Sequence, residues 1–196
     1  MCLTDEPGPV TALPGVDVTI ELQRNWPGWW SKLEALSIPG PCLYFDLDTM
    51  IVNDLEPWVA SFAGMTERFG MLSDLYSPMT FQSGIMFWHE PPGLADTLGK
   101  ALADGTATFR ANSRGIQNSG LVFNKTVYSG DGPWIGRMVG GGVRVLNGKS
   151  PRRVVSYKKD VRGREEIPEN ACVVCFHGHP RPHEVTGDPL VKEHWR

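Results

Sequence analysis

The stretch CLYFDLDTMIV, residues 42–52, decides how this chain is interpreted. Its apolar residues are typical of a strand, and two carboxylates, Asp46 and Asp48, follow at a spacing of i, i+2. Because side chains alternate across a strand, we expect both carboxylates to point to the same side. Such a pair repels itself unless a cation lies between its members, and Mg²⁺ or Mn²⁺ commonly does. In α/β proteins the carboxyl end of a strand binds ligands, so the stretch predicts a metal-assisted site that handles phosphate.

Composition and charge limit the class of protein. A chain of 196 residues with 41% hydrophobic and 21% charged residues is expected to form a single domain over residues 1–196. The net charge of −3 gives no electrostatic support for binding nucleic acid or an anionic membrane. The N-terminus lacks the pattern of a signal peptide, and no segment approaches the roughly 20 apolar residues of a membrane span. We therefore expect a cytoplasmic protein.

The four cysteines are too few for a disulfide scaffold. Cys172 and Cys175 have zinc-like spacing, but they lie inside the apolar run 171–176. Positions i and i+3 of a strand face opposite sides, and no second pair completes a zinc site. We therefore expect buried structural thiols in a reducing compartment.

Strand and helix patterns alternate along the chain. The predicted helical segments are 29–36, 59–62, 94–103 and 134–139, and the predicted strands are 1–5, 16–22, 42–48, 69–72, 85–88, 121–123, 143–146, 154–157 and 171–176. A glycine in a loop, Gly84, is expected just before the strand 85–88. This alternation favours an α/β fold with a mainly parallel sheet.

Other candidate residues each have a structural and a functional interpretation. His177 opens the segment FHGHPRPH and is either a structural histidine or a third metal ligand. Ser83 and Gly84 form either a simple bend or a close approach of backbone to ligand. Lys32 follows a tryptophan-rich turn and is either solvated or directed at a phosphate. Basic residues in 152–164 form either a solvated rim or a surface that attracts an anionic substrate. The chain has neither a P-loop nor a dinucleotide-binding glycine motif, so both of those classes are excluded.

Taken together, these segments resemble the GT-A glycosyltransferases, in particular the glycogenin-like and bacterial lipopolysaccharide-type retaining enzymes. CLYFDLDTMIVNDL resembles their strand and Asp-x-Asp motif, and GWWSKLEAL is similar to their Lys-Leu helix. FQSGIMFW resembles the segment that lines the sugar pocket, with Gln82 where Asn is usual. VVCFHGHPRPHEV resembles the C-terminal His-x-Gly-x-x-Lys-Pro segment. The resemblance spans nearly the whole chain and implies a GT-A-like, Rossmann-type sheet flanked by helices.

The resemblance also implies roles for individual residues. Asp46, Asp48 and His177 would hold Mn²⁺, or Mg²⁺, on the diphosphate of a nucleotide-sugar donor. The same diphosphate and its sugar would be bound by Lys32, Ser83, Gly84, Gly178 and Arg181. Asp131 would orient the hydroxyl group of the acceptor, although Gly132 replaces the family's Gln in SGDGPWIG. Family members begin with a strand and helix that bind the nucleobase, and we expect that unit to be missing before Met1.

Three functions follow as hypotheses. The first is a metal-dependent glycosyltransferase of the hexosyltransferase type. The second is a shortened, inactive GT-A-like domain that binds metal or nucleotide weakly. The third is a haloacid-dehalogenase-like phosphatase, in which Asp46 is the nucleophile and Asp48 the general acid. In that class Gly-Thr normally follows the second Asp, whereas Thr49 and Met50 follow here.

Overall fold

The computed structural model describes residues 1–4, 16–62, 64–111, 120–148 and 153–195. Its strands are β1 (Cys2–Thr4), β2 (Thr19–Glu21), β3 (Cys42–Phe45), β4 (Thr49–Ile51), β5 (Phe69–Ser73), β6 (Phe81–Trp88), β7 (Ala107–Arg110), β8 (Gly120–Phe123), β9 (Thr126–Tyr128), β10 (Val143–Val145), β11 (Val154–Ser156) and β12 (Val173–Cys175). Its α-helices are α1 (Glu56–Ala60), α2 (Leu94–Ala103), α3 (Asp131–Val139) and α4 (Pro189–His194). Shorter helices are the 3-10 helices Gly28–Ser37 and Pro182–Glu184 and the π-helix Tyr157–Val161.

The chain divides into two compact units, each made of two sequence segments. The first unit contains Met1–Cys42 and His89–Met138, and the second contains Leu43–Trp88 and Val139–Arg196. Because the segments interleave, the division corresponds to no single boundary in the sequence. The expectation of a single domain over residues 1–196 stays a prediction.

The first unit is built around helices and aromatic side chains. Helix α2 buries Leu94, Ala95, Leu98 and Ala101, the spacing expected of one helix face, and it packs against the 3-10 helix Gly28–Ser37. Trp134 of α3 meets Trp30 and Phe123 edge-on, with ring centroids 6.1 and 5.6 Å apart. Strands β7, β8 and β9 form an antiparallel sheet, and β1 pairs with β2 in parallel.

The second unit contains two sheets. One has the strand order β10-β5-β6-β3, and the other has the order β11-β12-β4. Strand β12 is buried on both faces, because Val173 and Cys175 belong to one apolar cluster and Val174 belongs to another. Burial on both faces explains why its sequence is a continuous apolar run rather than an alternating one. Both Cys172 and Cys175 are buried free thiols, as predicted.

The α/β class is confirmed, but the mainly parallel sheet is a correction. Among the described strands, β5 with β6, β12 with β4, and the pairs of the β7-β8-β9 sheet are antiparallel. A parallel pair needs a crossover of a dozen or more residues, whereas only residues 74–80 join β5 to β6. Strands β8 and β9 are joined by Asn124 and Lys125, both with positive φ, as in the tight turns that close hairpins. These short connections produce mixed sheets.

The sequence predictions of individual elements differ in accuracy. The helix at 94–103 is confirmed at both ends, and the strands at 69–72, 143–146 and 171–176 are confirmed to within two residues. The short strands β4, β7 and β9 were not predicted, because three or four residues show too little alternation to be recognised. None of the helices in the described parts of the chain combines the length and apolar character that a membrane crossing requires.

Candidate functional site

The two carboxylates lie in a turn of the second unit. Asp46 and Asp48 stand between the end of β3 and the start of β4, so the alternation of a strand does not set their directions. The turn is fixed by its neighbours, because the Asp46 amide donates to the Gly84 carbonyl at 2.8 Å and the Phe176 amide donates to the Asp48 carbonyl at 2.9 Å. Strand β6 and the residue that follows β12 therefore hold the backbone of the pair.

Both carboxylates act on the same region. Cys175 pairs with Thr49 in the register of β12 with β4, and the Phe176 amide donates to the Asp48 carbonyl, so the acidic turn lies at the end of β12. Burial raises the pKa of the Cys175 thiol, and the charges of Asp48 and Asp46 raise it further. The Tyr44 hydroxyl donates to Asp46 Oδ1 at 2.8 Å, and Arg181 Nη1 lies 3.4 Å from Asp48 Oδ2. The pair thus has a hydrogen-bond donor on one member and a cation beside the other.

The glycine segment belongs to a strand rather than to a loop. Gly84 lies inside β6, which corrects the expectation of a loop glycine ahead of the strand. The pairing of β5 with β6 jumps from Met86 to Gln82, so residues 83–85 bulge out of that pairing. Bulges commonly re-aim side chains next to functional sites. The sequence could not reveal the bulge, because it depends on the register with β5.

Gly84 allows two side chains to come close. A Cβ at this position would lie 3.3 Å from Gln82 Oε1 and 3.7 Å from Asp46 Oδ2. Among the described residues, Gln82 Nε2 is one of the buried side-chain nitrogens without a hydrogen-bond partner. A buried amide nitrogen whose N–H groups have no partner suits a site that receives the oxygen of a ligand. Ser83 is buried, at 4% exposure, so its predicted contact with a ligand would require movement.

His177 is half-buried against a different set of partners. Its Nε2 lies 2.7 Å from Ser156 Oγ, and the Tyr76 ring meets it edge-on with centroids 5.0 Å apart. Burial lowers the pKa of His177, and the charge of Lys158, with a smaller contribution from Lys159, lowers it further against the opposing effect of Asp74. The imidazole is therefore neutral at neutral pH, the form that ligates metals. Ligation through Nε2 would first require release of the bond to Ser156.

The carboxylates and the histidine are not gathered into a ready metal site. Among the described residues, no group of three or more His, Cys, Asp or Glu side chains has the arrangement needed to hold a metal ion. The chemistry of Asp46 and Asp48 does suit Mn²⁺ or Mg²⁺, which prefer oxygen ligands. These two residues fit a divalent cation better than the predicted set of three does.

Lys158 is a site residue that the sequence did not single out. Its Nζ donates to the His177 carbonyl at 2.6 Å and lies 3.7 Å from where a Cβ of Gly178 would be. Gly178 has a φ of +69°, a conformation that side chains with a Cβ rarely adopt. The only signal in the sequence was the basic segment 152–164, of which Arg152 lies outside the described residues.

Lys32 and Asp131 meet in the first unit. Lys32 Nζ lies 3.4 Å from Asp131 Oδ2, and each side chain is only 11% exposed. Asp131 also begins helix α3 and accepts a hydrogen bond from the Gly132 amide at 2.9 Å. The sequence predicted a role for each residue separately, as a phosphate ligand and an acceptor-orienting carboxylate, and not the ion pair between them.

The second unit therefore carries two carboxylates, a bulged glycine strand, a neutral histidine and two cations close to the same turns. The first unit carries a nearly buried ion pair. Function has to be inferred from these residues and their contacts. No family model matches this chain, and no curated protein matches it either.

Proposed function

We propose that this protein is a metal-dependent glycosyltransferase that moves a sugar from a nucleotide-diphosphate donor to an acceptor hydroxyl. The observation that carries the proposal is the pairing of acidic and basic groups in the second unit, where Arg181 lies 3.4 Å from Asp48 beside Asp46. A carboxylate pair suits a divalent cation, and a guanidinium suits a phosphate. A transferase whose leaving group is a metal-bound diphosphate needs both kinds of group, carboxylates for the metal and a cation for the phosphate.

The residues have distinct roles in this proposal. Asp46 and Asp48 would hold Mn²⁺ or Mg²⁺, which would supply positive charge to the leaving diphosphate. His177 would be a further ligand only after release of its Nε2 from Ser156 Oγ, so the two carboxylates alone would form the initial cation site. Arg181 exchanges its contact with Asp48 for a phosphate oxygen, which its planar guanidinium can bind through two N–H groups.

The remaining predicted residues supply shape and orientation. Gly84 and Gly178 let a ligand approach the backbone closely, because neither has a Cβ. A Cβ at Gly84 would crowd Gln82, and Gly178 has a left-handed φ that side chains with a Cβ rarely adopt. Ser83 lines the sugar pocket after the movement noted above. Lys32 and Asp131 pair with each other in the first unit, so no role in the ligand site of the second unit is assigned to them. A GT-A-like arrangement with mixed rather than mainly parallel sheets belongs to the same proposal, supported by the α/β class and by the acidic turn that follows β3. A cytoplasmic location is also proposed, because the free thiols of Cys172 and Cys175 suit a reducing compartment.

Isothermal titration with UDP in the presence and absence of Mn²⁺ tests the proposal. We expect binding by the wild type only with Mn²⁺, and a loss of at least about tenfold in affinity for Asp48→Asn, since charge-assisted contacts contribute about 1.5–3 kcal/mol. Glu169→Gln is the matched control, because Glu169 is an exposed acidic residue of the same unit. Absence of UDP binding by the folded wild type, or hydrolysis of p-nitrophenyl phosphate with Mg²⁺, would refute the glycosyltransferase and favour the inactive domain or the phosphatase.

A further inference from the structure

Two cations lie at the ends of the segment that follows β12. Arg181 contacts Asp48 from the end of this segment, and the Lys158 ammonium contacts the carbonyl of His177 at its start. Between them, Gly178 adopts its left-handed conformation with no side chain in front of Lys158 Nζ. All of these residues belong to the second unit, so their arrangement is a property of that unit alone.

The geometry points to Lys158 as a second cationic ligand of the diphosphate, acting with Arg181. This inference rests on the proposed function and adds a residue to the same site. An ammonium group carries three N–H donors, and its bond to the His177 carbonyl uses one of them. Lys158 can therefore keep its bond to the His177 carbonyl while it donates to a phosphate oxygen.

Charge balance gives a separate reason for a second cation. The carboxylates of Asp46 and Asp48 and the two negative charges of a nucleotide-sugar diphosphate are all gathered at one place in the proposed complex. A divalent cation and Arg181 leave this group with a net negative charge. The ammonium of Lys158 brings the formal charge to neutrality, and a half-buried location keeps its charge from being fully screened by solvent.

The neighbouring lysine provides a matched control. Lys159 lies in the same π-helix, but its ammonium donates to the Leu75 carbonyl and stands 4.1 Å from the centre of the Tyr76 ring. Lys159 is therefore the sequence neighbour of Lys158 and carries the same charge, but it contacts other partners. If removing any lysine from this helix weakened UDP binding, both variants would bind UDP less tightly. If Lys158 is a phosphate ligand, only the Lys158 variant should do so.

The experiment measures dissociation constants of UDP and of inorganic pyrophosphate, each with Mn²⁺, for the wild type, Lys158→Met, Lys158→Arg and Lys159→Met. We expect Lys158→Met to weaken both ligands by about tenfold to a hundredfold, the range of hydrogen bonds to charged groups. Lys158→Arg should recover part of the loss, and Lys159→Met should bind within about twofold of the wild type, as expected of an exposed charge.

The affinity for Mn²⁺ alone and the midpoint of thermal unfolding separate ligand binding from support of the loop. If Lys158 is a phosphate ligand, Lys158→Met leaves the Mn²⁺ affinity unchanged and lowers the unfolding midpoint only by the loss of one hydrogen bond to the His177 carbonyl. If Mn²⁺ affinity falls in parallel with UDP affinity, Lys158 acts by holding His177, and the inference is wrong. Equal UDP affinities for the wild type and Lys158→Met would overturn the inference and leave the proposed function standing. Absence of UDP binding by the wild type would overturn both.

Discussion

Replacing Asp131 by asparagine should destabilise the protein far more than a comparable change at the surface. The substitution keeps the shape and removes the charge that faces Lys32 at 3.4 Å. At an effective dielectric constant of about 20, two unit charges at this distance attract each other by about 5 kcal/mol. The free-energy cost of desolvating the two charged groups offsets part of this attraction. When Asp131 is neutralised, the desolvation cost of the Lys32 ammonium remains without the compensating attraction. We expect the free energy of unfolding to fall by about 3 kcal/mol.

The first unit contains a suitable control pair. Asp96 stands in the first turn of α2, as Asp131 does in the first turn of α3, and it pairs with Arg24. The Asp96 side chain is 69% exposed, so solvent screens the pair. Asp96→Asn should therefore cost less than about 1 kcal/mol. Since both variants lose an acidic residue near a helix N-terminus, the difference between them reports burial of the ion pair.

Urea denaturation followed by tryptophan fluorescence measures both variants, because Trp30 and Trp134 are buried in this unit. The double variant Lys32→Met/Asp131→Asn should be more stable than the sum of its single variants predicts, by at least about 1 kcal/mol. Equal destabilisation by Asp131→Asn and Asp96→Asn, or strict additivity in the double variant, would refute the claim that Lys32 and Asp131 form a buried pair.

Two further predictions concern the second unit. Gly70→Ala should lower the free energy of unfolding by about 1–3 kcal/mol, because the added Cβ would lie 2.6 Å from Leu146 Cδ2. Gly64→Ala adds a methyl group to open space and should be nearly neutral. Similar urea unfolding midpoints for the two variants would contradict this prediction. Burial and the hydrogen bond to Asp188 raise the pKa of Tyr157 to about 12. Because the raised pKa favours the protonated form in the folded state, its stabilisation is complete below pH 10 and is lost as the pH rises from about 10 to 12. The stability difference between wild type and Tyr157→Phe should shrink over that interval, and a constant difference would count against this role of the tyrosine.

Local patterns predicted the helix at 94–103 and the buried run at 171–176 well. Four apolar residues on one face of α2 and a continuous apolar stretch in β12 are properties of neighbouring residues, so they are visible without the fold. The sequence marked Asp46 and Asp48 as a candidate site, which stays a prediction, but it did not show the geometry of the turn that holds them. Its direction depends on hydrogen bonds to Gly84 and Phe176, which lie far away in the sequence.

The sequence by itself determined which residues have the chemistry for a site: the acidic pair Asp46 and Asp48, the histidine at 177 and the cations near them. It also determined the α/β class, because hydrophobic periodicity is a local property. Only the tertiary structure decided the direction of the strand pairs, the burial of Lys32 against Asp131, and the approach of Lys158 to a loop 19 residues later. The physical reason is that register, burial and ion pairing depend on how distant segments of the chain pack together and lose solvent. The sequence of each segment taken alone does not specify its partner.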